Sequence, residues 1–208
     1  MKNLLTTLLI FLSVSLSAQN FKGEITYSNT YESKSEQLSN EQLTAMLGTT
    51  QHYFTKNGNY KSETNGTFFL WQIYVNKENR LYSKMASSET VYWNDCSLQG
   101  DKVIKADIRK NAETVLGKPC DEVTLVCESG IQKYYFNTSL AVNPEIFKNH
   151  KLGNWYDFIS RSKAFPLKME IENPQFKMTS IATKVEVKDI PDSFFKLPEG
   201  IKTEQSKQ

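Results

Sequence analysis

Histidine is scarce in this 208-residue chain, which holds only His52 and His150. A metal centre needs several His, Cys or carboxylate ligands converging on one point. The two histidines stand isolated from each other, so each is expected in a surface or turn position and no metal site is expected. Glycine is sparse as well, with nine residues, and none belongs to a phosphate-cradling loop. No G-x-S-x-G elbow and no paired zinc motif occurs. Charge of one sign is missing too: 25 Lys+Arg stand against 23 Asp+Glu. That balance gives no footprint for a nucleic-acid partner. Carboxylate pairs such as Glu170/Glu172 lie opposite an apolar row and read as solvated surface. With no catalytic constellation and no cofactor motif, a non-enzymatic protein is expected.

Long apolar runs are confined to the start of the chain. Met1–Ala18 reads as a secretory signal peptide: Lys2 is the positive start, Leu4 to Leu16 the apolar segment, and Ser15-Leu16-Ser17-Ala18 the small-residue end. Cleavage is expected after Ser17 or Ala18. No later segment is apolar enough to cross a bilayer as a helix. The expectation is an exported protein, soluble after signal cleavage and either periplasmic or extracellular.

Cysteine is limited to Cys96, Cys120 and Cys127. Outside the cytoplasm neighbouring thiols tend to oxidise, yet an odd number leaves at least one unpaired within the chain. Residues 121–127 read as one strand, which at roughly 3.3 Å per residue carries Cys120 and Cys127 over about 20 Å apart. A disulfide tolerates roughly 7 Å between Cα atoms. The preferred bridge is Cys96–Cys120, with Cys127 a buried thiol. Cys96–Cys127 is the second choice, and three free thiols are the remaining case.

What the chain does have is aromatic residues, 12 Phe, 10 Tyr and 3 Trp, set mostly on period-two segments. Phe21, Gly23, Ile25, Tyr27 and Tyr31 share one face of a strand, with Lys22, Glu24, Thr26 and Ser28 on the other. Asn57-Gly58 predicts a two-residue hairpin, Asn65-Gly66 a further turn, and Glu128-Ser129-Gly130 and Asn173-Pro174 two more. Phase changes along residues 176–188, which predicts a bulge near Thr179–Ser180. Helical signals are few. Ser39-Asn40-Glu41-Gln42 fits a capping box ahead of Leu43, Met46 and Leu47. A second short helix is expected from Asn143-Pro144, and the rest of 144–163, with Trp155, Tyr156 and Phe158, is expected to be irregular.

The fold class that follows is mainly β. It is one strongly curved antiparallel sheet forming an unclosed barrel, with one or two short helices on its concave side. The domain expected is 19–201, followed by a polar tail, 202–208. Residues 68–75 (FFLWQIYV) are apolar on both faces, which fits a central strand packed on both sides or one side lining a hydrophobic cavity. In the second case Phe69, Trp71, Ile73 and Tyr74 line the cavity, with Leu43 and Leu47 on a helix that lids it. The ligand would be a lipid or another apolar molecule. The alternative is an envelope protein–protein module that uses a sheet edge or the aromatic segment 155–158.

Several short motifs resemble a known family. Phe21-x-Gly23-x-Ile25-x-Tyr27 after the leader looks like secreted Bacteroidetes proteins. Thr114-x-x-Gly117-x-x-Cys120, Phe165-Pro166-Leu167-Lys168 and Asp192-x-x-Phe195-x-Leu197-Pro198-x-Gly200 are similar to the family of unknown function DUF4412. GLPGLI-type secreted proteins share parts of the pattern. The resemblance spans roughly residues 20–201. It implies a fold like that of the periplasmic lipoprotein carriers LolA and LolB, an unclosed curved barrel plugged by helices and able to hold an acyl chain. The proposed disulfide belongs to the DUF4412-like pattern, and no residue here aligns with the carriers' lid-locking arginine.

Overall fold

A computed structural model describes residues 20–207; the expected signal peptide lies outside them. Strand accounts for 53% of the described residues and helix for 16%, which places the fold in the mainly β class. The chain opens with β1 (Gly23–Ser33) and α1 (Asn40–Leu47). A meander follows through β2 (Thr50–Lys56), β3 (Asn59–Thr64), β4 (Phe69–Val75), β5 (Arg80–Met85) and β6 (Val91–Asp95). The second half holds β7 (Val103–Val115), β8 (Lys118–Cys127) and β9 (Ile131–Ala141), then α2 (Trp155–Ser162), β10 (Ala164–Glu172) and β11 (Phe176–Val187). A short β12 (Thr203–Gln205) ends it.

The twelve strands of the described residues form one open sheet, in the order β12-β6-β5-β4-β3-β2-β1-β11-β10-β9-β8-β7. Each half is an antiparallel meander, and β1 joins them by pairing with β2 on one side and β11 on the other. The sheet is not closed into a barrel. β12 pairs parallel with β6, so the stretch expected as a polar tail adds an edge strand.

Local chemistry accounts for the main turns. Asn57 and Gly58 take positive φ of 51° and 82° and close the β2–β3 hairpin with Lys56 opposite Asn59. A Cβ on Gly58 would come within 2.3 Å of Ile146, so the turn also admits close packing that only glycine allows. α1 has the expected capping box, the Ser39 hydroxyl accepting from Gln42 N and the Gln42 side chain accepting from Ser39 N. Asn143 caps a 3₁₀ turn at Pro144–Phe147. The bulge in β11 falls at Thr183, between the pairs Thr26–Lys184 and Tyr27–Ala182, and not at Thr179–Ser180. Phe176, Met178, Ser180 and Ala182 therefore keep one face, and Ile181 is exposed.

The segment 144–163, expected to be irregular, contains a true helix. Trp155, Phe158 and Ile159 form an i, i+3, i+4 stripe on α2, and Asp157 and Arg161 pair one turn apart at 3.2 Å. Phe147, Phe158 and Ile159 are fully buried in the core with Tyr134, Phe136, Phe165 and Leu167. Phe158 stacks on Tyr134 at 4.2 Å, and Trp155 lies among Tyr53, Tyr60, Phe147 and Phe165. Phe158 and Trp155 thus pack into the interior, while Tyr156 of the same segment stays half-buried.

The expected Cys96–Cys120 disulfide is not formed: Cys96, Cys120 and Cys127 are free and buried. Cys96 follows β6, near one edge of the strand order, and Cys120 lies in β8, near the other. Each of the two thiols is directed to a carbonyl two residues back in its own chain, Asn94 O for Cys96 and Lys118 O for Cys120. Burial pushes the Cys96 thiol up to about 12 and the Cys127 thiol to about 11, and raises Cys120, so all three stay protonated.

Candidate functional site

The inward face of the sheet is read off the register. The hairpin at Asn57-Gly58 sets Tyr53 opposite Ser62 and Thr55 opposite Tyr60. The next pairing sets Tyr60 opposite Tyr74 and Ser62 opposite Gln72. Gln51, Tyr53, Tyr60, Ser62, Gln72 and Tyr74 therefore share the concave side with Ile25, Tyr27, Asn29 and Tyr31 of β1.

The chain segment from Pro144 to Ser162 occupies only one end of this concavity. At the other end, below α1, a cavity of about 470 Å³ remains. Leu47, Phe69, Trp155, Met169, Phe176 and Met178 supply its apolar lining. Asn29, Gln51, Ser62 and Gln72 supply its polar one. It continues inward into a chamber of about 130 Å³ bordered by Tyr27, Tyr53 and Pro166, with Gln51, Ser62, Gln72, Trp155 and Met169 common to both. Among the described residues, none that lines either space is charged. The polar groups are held by local bonds. Gln51 Nε2 donates to Ser62 Oγ (2.7 Å), Gln72 Nε2 to Ser83 Oγ (2.9 Å) and Ser180 Oγ to Asn29 Oδ1 (2.6 Å).

The six residues expected to line such a cavity divide. Phe69 and Leu47 line it. Trp71 opposes Glu63 and Lys84 in the outer row and borders the cavity beside the β4 bulge at Leu70. Tyr74 is inward but only 1% exposed, locked between Tyr60 (5.0 Å) and His150 (4.3 Å). Leu43 is buried and borders a neighbouring groove with Leu38, Phe68 and Phe176. Ile73 is on the other face. It opposes Lys61 and Tyr82, and a 3₁₀ turn at Asp192–Phe195 packs over this outer surface of β3 and β4. Phe194 lies edge-on to Phe54 at 4.8 Å, with Lys61 over its ring, and Lys56 is paired to Asp189 and Asp192. The two apolar faces of residues 68–75 thus serve two different interfaces.

The histidines also divide. His52 is exposed and bonded to Glu24 Oε1 at 2.7 Å. His150, expected in a surface or turn position, closes the turn after Phe147, its backbone N–H donating to Phe147 O, and is 2% exposed. Burial pushes its imidazole down to about 3, so it is neutral, and its Nε2 is hydrogen-bonded to the Tyr60 hydroxyl at 2.8 Å. Cys127 accepts from Asn154 Nδ2 at 3.2 Å and is a structural thiol.

Together these features define an open, curled sheet, plugged at one end and hollow at the other. No protein-family model and no curated protein matches this chain.

Proposed function

We propose that this is an exported, non-enzymatic envelope protein that holds a small hydrophobic or lipid-like molecule in the hollow end of its sheet, with α1 as the lid. The observation that carries this reading is the uncharged cavity of about 470 Å³. It falls within the range of about 300–1,000 Å³ typical of small-molecule sites. The motif resemblance to DUF4412 proteins, and through them to lipoprotein carriers, supports the same reading.

Native mass spectrometry of the protein from its own cell envelope tests it. An apolar adduct is expected on the wild type. A Met178→Trp variant, which fills the cavity from β11, should lower its occupancy by about ten-fold or more. A protein free of any adduct that also takes up no added amphiphile would overturn the reading. A protein–protein role has one observation in its favour: edge strand β7 exposes Ile104 and Ile108. Lys105, Asp107, Arg109 and Lys110 are interleaved with them, which guards that edge against strand addition.

A further inference from the structure

The inner chamber carries more unmet hydrogen-bonding capacity than a purely apolar guest could use. Tyr53 Oη and Trp155 Nε1 are buried without a partner, and both residues line the chamber. Tyr53 is 8% exposed. Its neighbours are already committed: Tyr27 Oη donates to Pro166 O (2.7 Å), and Tyr60 Oη bonds His150. Gln51 and Gln72 each spend one of their two amide N–H groups on Ser62 and Ser83, and no donor among the described residues is bonded to either side-chain carbonyl oxygen. Two unpaired donors and the side-chain amides of Gln51 and Gln72 therefore border one space of about 130 Å³.

Charge decides which head group suits this set. Among the described residues no Lys, Arg or His lines the chamber or the larger cavity, and no Asp or Glu does. A carboxylate, phosphate or ammonium placed there would be buried without a counter-charge, which is strongly unfavourable. A bare hydrocarbon would leave the orphan groups unpaired. Resting on the reading of the cavity as a ligand site, we propose that the chamber binds the head of an uncharged amphiphile that both donates and accepts hydrogen bonds, a hydroxyl or a primary amide. Its apolar chain runs past Met169, Phe69, Met178 and Phe176 toward Leu47 of α1. The head lies deep and the tail leads to the mouth, the reverse of a site that grips only a chain.

The test is a series of ten-carbon ligands that differ only in the head: 1-decanol, decanamide, decanoate at pH 8 and decyltrimethylammonium. Binding is titrated by tryptophan fluorescence, because Trp155 borders the chamber. Decanol and decanamide are expected to bind about ten-fold more tightly than either ion. Tyr53→Phe, which deletes an unpaired hydroxyl and should leave the melting temperature unchanged or raised, is expected to cost decanol about three- to ten-fold and the ions nothing. Gln72→Leu should act in the same direction. Equal affinity for all four heads, unaltered in both variants, overturns head-group recognition while leaving the cavity a ligand site. Preference for either ion overturns it as well. No binding of any ligand removes the cavity reading itself.

Discussion

The two ends of the concave face are built on the same alternation and are finished differently. At the plugged end the inward row is mostly apolar, with Gln132 its one buried amide: Val123, Leu125, Tyr134, Phe136 and Phe165 meet Phe147, Phe158 and Ile159 from the chain that crosses them. At the hollow end Asn29, Gln51, Ser62, Gln72, Ser83 and Ser180 interrupt the row. Largely apolar rows close on themselves, because nearly every side chain gains contact area and few polar groups are stranded, His150 Nδ1 among them. A row with serines and amides gains less from collapse, and it stays open with its polar groups tied to each other.

The largest effect should come from cutting into the plugged end. Phe158→Ala leaves a void in a fully buried cluster and is expected to cost about 3–5 kcal/mol in urea unfolding. Met178→Ala at the hollow end only enlarges an existing cavity and should cost about 1 kcal/mol. Equal costs would break the distinction between the two ends.

The next effect is a pH dependence confined to the plugged end. His150 has a folded pKa of about 3, lowered chiefly by burial, against about 6.5 for a free imidazole. The unfolded chain therefore takes up a proton that the folded chain refuses. The contribution is fully present above about pH 6.5 and is lost as pH falls below it, at up to about 1.4 kcal/mol per pH unit. Urea midpoints at pH 7 and pH 5 should differ accordingly in the wild type. The difference should shrink in His150→Phe, which keeps the ring contacts with Tyr60 and Tyr74 but does not titrate. An unchanged slope would place His150 in a wetter setting than the structure shows.

The smallest effect belongs to the lid. Ser39→Ala removes the acceptor for Gln42 N and is expected to cost about 1 kcal/mol. Amide exchange should quicken in α1 and leave α2 unaffected. Exchange rising equally in both helices would mean that lid and plug open as one unit.

Much of this was legible in the residues. The two-residue turn at Asn57-Gly58 fixes Tyr53 against Ser62 without any structure, so the inward row of β2 and β3 could have been written out from it. Carried one strand further, that register would have separated Gln72 and Tyr74 from Trp71 and Ile73. It would have shown the polar members of the cavity, which an inspection of apolar residues alone passes over. α2 was legible too, in the 155, 158, 159 spacing, but it lacks a side-chain N-cap and follows left-handed residues at Gly153 and Asn154. The burial of His150 was not legible for a different reason. Burial of His150 depends on Tyr60 and Tyr74, which come from strands far along the chain.

By itself the sequence determined the alternation, the turns, the α1 cap and hence a mainly β, open, curled sheet. These are local matters, set by backbone preference and by which side chains can share a face. Tertiary structure alone decided which apolar face met which partner. It sent Ile73 under the C-terminal segment, left the three thiols unpaired, and brought the 144–162 segment across only one end of the concavity. Those outcomes depend on the spatial order of elements distant in the chain, and that order is where the cavity and its unpaired donors arise.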